Sequence, residues 1–183
     1  MNSLDNILNR VSARELSSPH PTSKEMGLIY KAALRAPDHA WLRPSSFIEV
    51  KDEGLKKLSN IFYSYGKKQK DISEEVLNKY KNAPFRAPMI IIIVNTFKEH
   101  PKVPSIEQKL SSAAAAQNIL LALNSIGYSG IWRTGKFAFN TEIQKELGLN
   151  NNQEIIGYLY VGTEIGKKKS IPILDIDNFV SYL

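Results

Sequence analysis

The sequence contains no cysteine among its 183 residues, and this absence excludes several kinds of chemistry. Disulfide bonds, thiolate metal ligands and cysteine nucleophiles are ruled out, which fits a protein of a reducing, cytoplasmic compartment. The three histidines, His20, His39 and His100, lie in different segments and lack the short spacing of zinc ligands. We therefore expect neither a metal site nor a thiol-based mechanism.

Long hydrophobic runs and several nucleotide-binding and catalytic motifs are also missing. The longest apolar run, residues 88–94, has the length of a strand and falls far short of the ~20 residues that cross a bilayer. The amino terminus has no basic segment followed by an apolar one, so no signal peptide is expected. The P-loop, the Rossmann glycine motif and the nucleophile elbow are absent, which argues against ATPases, Rossmann dehydrogenases and serine hydrolases.

Positive charge is in excess, with 24 lysines and arginines against 18 acidic residues and a net charge of +6. Such a balance suits nucleic acid, a membrane surface or a small anionic ligand. The lysine-rich runs at 67–70 and 167–169 are typical of exposed turns, and no pattern of alternating aromatic and basic residues predicts a base-stacking surface. We therefore expect no nucleic-acid partner and no membrane partner.

Hydrophobic periodicity and capping signals predict a chain in which helices and strands are interspersed. Residues 22–25 (TSKE) form a capping box that begins a helix, and Pro37 ends that helix at about residue 35. The predicted helices span roughly residues 4–9, 22–35, 52–65, 73–82, 105–126 and 141–147. The predicted strands span residues 46–50, 89–94, 128–133 and 154–161.

Two segments bear on the architecture beyond these elements. Residues 89–94 are apolar at every position, which predicts a strand buried on both faces and helices on both sides of the sheet. Residues 171–183 are too apolar for a free tail, so we expect them to pack on this subunit or on a partner. No internal repeat or linker divides the chain, and the pattern predicts an α+β fold.

Arginine and hydroxyl side chains after the first helix form one candidate anion site. Arg10 and Ser12 occupy alternate positions of an extended loop, so their side chains can point the same way. Guanidinium and hydroxyl donors both suit phosphate, and Arg14 continues the alternation. An ordinary polar loop would explain the same residues.

Two further segments have both a functional and a structural interpretation. Arg35 lies in the last turn of a helix, where the helix dipole alone favours a cation, and His39 follows beside an aspartate that can bond it locally. Trp132 and Arg133 lie between two glycines that permit close approach of backbone to a ligand. A buried tryptophan next to an exposed arginine is the structural alternative.

Taken together and in order, these segments resemble the nitroreductase family, in its compact YdjA-like branch of NAD(P)H nitroreductases. The resemblance runs over nearly the whole chain, and its motifs are residues 9–12 (NRVS), 35–39 (RAPDH), 82–88 (NAPFRAP), 130–135 (GIWRTG) and 157–162 (GYLYVG), with an alanine-rich helix before Gly127. Two departures stand out. Val11 replaces a frequent second arginine, and residues 43–45 (RPS) replace Gln-Pro-Trp, with Trp41 nearby but out of register.

The resemblance implies an α+β fold with a mixed β-sheet flanked by helices on both faces, in which residues 1–183 form a single FMN-binding domain. It further implies an intertwined homodimer with FMN at the interface, where each chain supplies part of each site. The implied cofactor contacts are Arg10, Val11, Ser12, Arg35, His39, Ile131, Trp132 and Arg133.

The implied activity is that of an FMN-dependent NAD(P)H oxidoreductase with NADH or NADPH as the electron donor. A nitroaromatic, a quinone or a similar flat acceptor would enter after the donor has left, in a ping-pong mechanism that requires no catalytic side chain. Arg10 and Arg35 are candidates for stabilising negative charge on the reduced cofactor. Two alternatives stay open: a relative that uses FMN for another redox reaction, and a non-catalytic flavin-binding protein of the same fold.

Overall fold

The structure, a computed structural model, describes residues 2–183, which form seven α-helices and five β-strands. The helices are α1 (Ser3–Asn9), α2 (Ser23–Ala33), α3 (Glu53–Lys67), α4 (Glu74–Asn82), α5 (Ser105–Ser125), α6 (Lys136–Phe139) and α7 (Thr141–Glu146). The strands are β1 (Leu16–Ser17), β2 (Ser45–Lys51), β3 (Met89–Thr96), β4 (Ser129–Arg133) and β5 (Gln153–Glu164). All the predicted elements are present, whereas α6 and the two-residue β1 were not predicted.

The sheet is assembled on β5, which is 12 residues long. One edge of β5 pairs with β3, from Met89↔Val161 to Thr96↔Gln153. The other edge pairs first with β4 and then with β1, which lie end to end along it. Because β2 pairs with the free edge of β3, the strand order is β1-β5-β3-β2, with β4 beside β5.

Each of these four pairings is antiparallel, where the family resemblance implies a mixed sheet. The connection between β2 and β3 explains why these two strands are antiparallel. Two helices, α3 and α4, pack against each other in this connection and return the chain to the end of the sheet from which it left. The first residue of β3, Met89, therefore pairs with Lys51, the last residue of β2.

Side chains of β3 are buried on both faces of the sheet, as predicted. Ile90 and Ile92 pack in one apolar cluster with Phe62 of α3. Ile91 and Ile93 pack in a second cluster with Ile119 of α5. Since full burial of such a side chain stabilises the fold by roughly 1.5–3 kcal/mol, this one strand contributes much of the hydrophobic stabilisation. The expected helical layers on both sides of the sheet are confirmed.

The predicted capping box at the start of α2 is confirmed, whereas the predicted cap of α3 is wrong. Thr22 Oγ1 accepts a bond from the Glu25 backbone N–H, and Glu25 Oε2 accepts one from the Thr22 N–H at 2.7 Å. This bond holds the pKa of Glu25 below its usual value. Asp52 occupies the corresponding position before α3 but caps nothing among residues 2–183. Its φ of 49° puts the backbone in the left-handed region instead of the extended geometry of an N-cap.

Residues 171–183 were expected to pack on this subunit or on a partner, and the first of these expectations is wrong. Residues 171–183 are exposed throughout and contain only one short 3₁₀ turn, at Ile176–Asn178. The side chains of Ile173, Phe179 and Tyr182 are each more than two-thirds exposed. The segment therefore does not pack on this subunit. No helix among residues 2–183 is long and apolar enough to span a membrane.

Gly157 of β5 is predicted to be indispensable, because a methyl group there would lie 2.1 Å from Trp132 Nε1. We expect Gly157→Ala to destabilise the protein by about 1–3 kcal/mol through overpacking, measured by urea unfolding. Gly27→Ala in α2 is the matched control, since nothing lies within 4 Å of the added methyl group and helix propensity favours alanine by about 1 kcal/mol. Equal unfolding midpoints for the two variants would contradict the packing argument.

Candidate functional site

The loop after α1 is held against the start of β4. The Ala13 backbone N–H donates to the Gly130 carbonyl at 3.2 Å, and the Asn6 side chain donates to the Leu121 carbonyl of α5 at 3.0 Å. Arg10, Val11 and Ser12 lie between these two anchors and are partly buried. The structure thus brings the first group of predicted cofactor contacts to the strand that carries the last group, Ile131, Trp132 and Arg133.

Three buried side-chain polar atoms in the described chain have no hydrogen-bond partner, and two of them belong to predicted contact residues. They are Arg10 Nη1, Arg133 Nε and Glu164 Oε1. A buried donor without a partner costs about 1–3 kcal/mol, so such atoms are rare and call for an explanation. Two unpaired guanidinium donors fit an anionic ligand, and an unpaired carboxylate oxygen fits a hydroxyl group that donates to it.

Two cavities meet at this end of the sheet, and Arg86 and Arg133 line both of them. The first has a volume of about 450 Å³, and its wall also includes Arg14, Glu15, Leu16, Phe85 and Ile165. The second has a volume of about 470 Å³, and its wall also includes Tyr80, Ala83, Trp132, Thr134, Gly135, Lys136, Phe137, Tyr158 and Tyr160. Volumes of this size are typical of small-molecule sites.

The second cavity combines aromatic rings with cations. The Arg133 guanidinium lies 5.6 Å from the Tyr160 ring centroid, and Lys136 donates a hydrogen bond to the Tyr80 hydroxyl. That bond raises the pKa of Lys136, so its ammonium group stays charged at neutral pH. Burial raises the pKa of Tyr160 although Arg133 and Arg86 oppose the shift, so the phenol stays neutral. None of the described residues that line this cavity is acidic, which favours an anionic, planar ligand.

The side chains of β4 alternate between the two faces of the sheet. Ile131 packs on the α3 side, and Trp132 packs on the α5 side, where its indole covers Gly157. Trp132 is therefore chiefly a packing residue, although it also lines the second cavity. Only Arg133 of these three residues directs a charged group at the cavities.

The second predicted group, Arg35 and His39, lies elsewhere on the chain. His39 Nδ1 is 2.6 Å from Glu107 Oε2, near the start of α5, and both side chains are about half exposed. The loop that carries Arg10 is anchored at Leu121, which lies 14 residues further along α5, or about 21 Å at the helical rise of 1.5 Å per residue. His39 is thus not brought beside Arg10 within one chain, whereas Arg35 lies three residues after Ala32, whose carbonyl accepts a hydrogen bond from Asn118 of α5.

Comparison with known proteins identifies the group to which the chain belongs. The model of the nitroreductase family matches residues 7–163, which is most of the chain. The chain belongs to the nitroreductase family. The resemblance found in the sequence motifs is therefore confirmed.

Relatives of this nitroreductase family member match it over its full length. YdjA of Escherichia coli strain K12, a candidate NAD(P)H nitroreductase, is 34% identical over 183 residues, with all of both chains covered. A candidate NAD(P)H nitroreductase of Haemophilus influenzae is 32% identical over 185 residues, again with both chains covered completely. A nitroreductase-like family protein from Bacillus cereus superposes with a TM-score of 0.85 at 20% identity, covering 100% of this chain and 96% of the other.

A second solved structure supports the same fold. The FMN- and NADPH-dependent nitroreductase NfnB from Sphigopyxis sp. strain HMH superposes with a TM-score of 0.78 at 15% identity and covers 100% of this chain and 99% of the other. The α+β nitroreductase fold predicted for this family member is thus confirmed.

Arg86 is the main candidate residue that the sequence predictions missed. It belongs to the motif 82–88, which contributed to the resemblance, but it was not among the predicted contacts. It lies in a 3₁₀ turn between Pro84 and Pro88, and that turn directs it into both cavities. The sequence signal that could have identified Arg86 was its position between two prolines, which restrict the backbone.

We predict that Arg10 and Arg133 bind anions. Inorganic phosphate should raise the Tm of the cofactor-free protein by about 2–4 °C for each kcal/mol of binding free energy. Arg10→Met and Arg133→Met should each lose at least half of this shift, because each removes an unpaired guanidinium. Lys57→Met, at an exposed position of α3, is the charge-matched control. Equal shifts in all variants, measured by differential scanning fluorimetry, would rule out an anion site here.

Proposed function

We propose that this protein is an FMN-dependent NAD(P)H oxidoreductase of the nitroreductase type, with residues 1–183 forming one FMN-binding domain. The observation that carries the proposal is the pair of unpaired guanidinium donors on Arg10 and Arg133, together with the aromatic rings of the second cavity, which Arg133 lines. A phosphate group matches the donors, and a planar ring system matches the aromatic walls. The relatives named as NAD(P)H nitroreductases support the same cofactor and donor.

The residues present fit FMN in charge and in shape. Arg10, Ser12 and Arg133 would hold its phosphate, and Glu164 Oε1 would accept a hydrogen bond from a ribityl hydroxyl. Arg86 would lie along the ring system, since it lines the second cavity with its aromatic walls. FMN, when bound, supplies the electron-transfer chemistry between the nicotinamide donor and the acceptor.

The side chains would bind FMN, orient it and stabilise negative charge on its ring system. Arg86, Arg133 and Lys136 place three cations around the second cavity, and none of its described lining residues is acidic. Cations in a partly dehydrated site stabilise negative charge that develops on a bound ring much more than they would in water. No side chain is assigned the role of a proton donor.

A homodimer completes the proposed site. His39 lies far from the anchor of the Arg10 loop along α5, so we propose that His39, together with Arg35, reaches the cofactor held by the partner subunit. Exposed apolar side chains supply the surface for such an association: Leu4 and Leu8 of α1 and Ile106 and Leu110 of α5 are each more than half exposed. The apolar residues of 171–183 would cover part of the partner.

The acceptor in this proposal is a nitroaromatic, a quinone or a similar flat molecule that follows the donor into the same pocket. Competing functions are a different FMN-dependent redox reaction and flavin binding without catalysis. Neither is favoured by a specific feature of the described residues. A spectroscopic experiment separates these possibilities.

The protein reconstituted with FMN is predicted to keep flavin absorbance after gel filtration and to lose it on anaerobic addition of NADH or NADPH. A nitroaromatic or a quinone should then restore the absorbance. Arg35→Ala should reduce the retained FMN at least several-fold, while Lys57→Met should not. A yellow protein that responds to neither nicotinamide would favour the binding protein, and a colourless protein that takes up no FMN would overturn the proposal.

Removal of apolar side chains from the carboxyl-terminal segment should weaken the dimer. We expect the wild-type protein to sediment as a dimer and Phe179→Ser/Tyr182→Ser to dissociate at concentrations at least about tenfold higher, because two buried rings would be lost from the interface. Lys168→Ser in the same region is the control. A wild-type monomer that retains FMN would show that the second subunit is not needed.

A further inference from the structure

The ammonium group of Lys136 is held in the second cavity by a tyrosine from a distant segment of the chain. Lys136 is the first residue of α6, whereas Tyr80 lies in α4, 56 positions earlier. Lys136 Nζ donates a hydrogen bond to the Tyr80 hydroxyl and also lies 4.7 Å from the centroid of the Tyr80 ring. A hydrogen bond and a cation–π contact with the same side chain therefore fix the position of this charge.

Tyr80 is a rigid anchor because it is buried and closely packed. Only 8% of the residue is exposed. Its ring meets that of Phe137 edge to face at 5.0 Å and is stacked on that of Tyr65 at 6.2 Å. Phe137 in turn stacks on Phe62 of α3 at 3.9 Å. Because Phe137 directly follows Lys136, these contacts fix both the ring that accepts the bond and the backbone from which the lysine extends.

The Tyr80 bond gives Lys136 a property that most surface lysines lack. A lysine without such a bond moves among many rotamers, and solvent and salt screen its charge. Lys136 forms no ion pair with the described residues, and no described residue of the cavity wall is acidic. Its positive charge is therefore fixed in place and is not neutralised by a carboxylate.

We propose that Tyr80 is a positioning residue that holds the Lys136 ammonium beside the ring system of FMN, where the charge favours the reduced cofactor. This inference rests on the proposed function, because it assigns the second cavity to that ring system. Hydride transfer from the nicotinamide donor brings one negative charge into the site. A fixed cation stabilises such a charge more than a mobile one, since no reorganisation is needed when the charge develops. Tyr80 acts through Lys136 and takes no part in the electron transfer.

The midpoint potential of the FMN-loaded protein, measured by anaerobic titration against a reference dye, tests the inference. Lys136→Met should make reduction of the bound FMN about tenfold less favourable, which for a two-electron couple is a potential about 30 mV lower. Tyr80→Phe keeps the ring and its packing, and it should make reduction about threefold or more less favourable because the ammonium loses its hydrogen bond. Lys136→Arg keeps the charge and should retain most of the potential.

The potential separates this role from a merely structural one. It reports the difference in affinity between reduced and oxidised FMN, so an equal loss of both affinities leaves it unchanged. Tyr63→Phe is the matched control, because this tyrosine of α3 lines neither cavity and its hydroxyl should not affect the potential. An unchanged potential in Lys136→Met, or in Tyr80→Phe, would overturn the inference.

A measurement on the cofactor-free protein tests the bond itself. The Tyr80 hydroxyl raises the pKa of Lys136, so that pKa, followed by ¹³C NMR of labelled lysine, should fall in Tyr80→Phe and stay the same in Tyr63→Phe. An unchanged pKa in Tyr80→Phe would show that the tyrosine does not hold the lysine and would also overturn the inference. Failure of the wild-type protein to bind FMN or to respond to a nicotinamide would instead refute the proposed function.

Discussion

The pairing of one long strand with three others is the constraint on which the rest of the structure depends. Because β5 pairs with β3 on one edge and with β4 and β1 on the other, it fixes the loop after α1 beside the start of β4. Close packing on this strand requires small residues, since methyl groups at Gly157 and Gly162 would lie 2.1 Å from Trp132 and 2.7 Å from Ser17. Arg10 and Arg133, which are 123 positions apart in sequence, reach the same region through this strand.

Much of the fold followed from local physical rules in the sequence. The capping box at Thr22 and the uninterrupted apolar run at 89–94 each act through nearby backbone or through burial, and both predictions were correct. The cap at Asp52 failed because the backbone conformation there is set by the turn after β2 and not by the helix. The four-residue α6 has too few residues for a periodic pattern to reveal it.

The candidate site was less accessible to sequence reasoning because it depends on long-range geometry. The types of residue that suit phosphate were recognisable at Arg10 and Arg133. The sequence did not reveal the distance between Arg10 and His39 along α5. It also did not reveal that Arg86 lines the same two cavities as Arg133. The unpaired buried donors on Arg10 and Arg133 lie in segments that we assign to a ligand. Functional sites are where departures from local rules are expected.

The central claim is that unpaired, buried guanidinium groups hold the phosphate of FMN, and ³¹P NMR of the FMN-loaded protein tests it most directly. A free phosphate monoester changes charge with a second pKa of about 6. Two guanidinium groups in contact favour the dianion and lower that pKa, so the account predicts a resonance that does not titrate between about pH 5 and 8. A bound phosphate that titrates like free FMN would contradict the account.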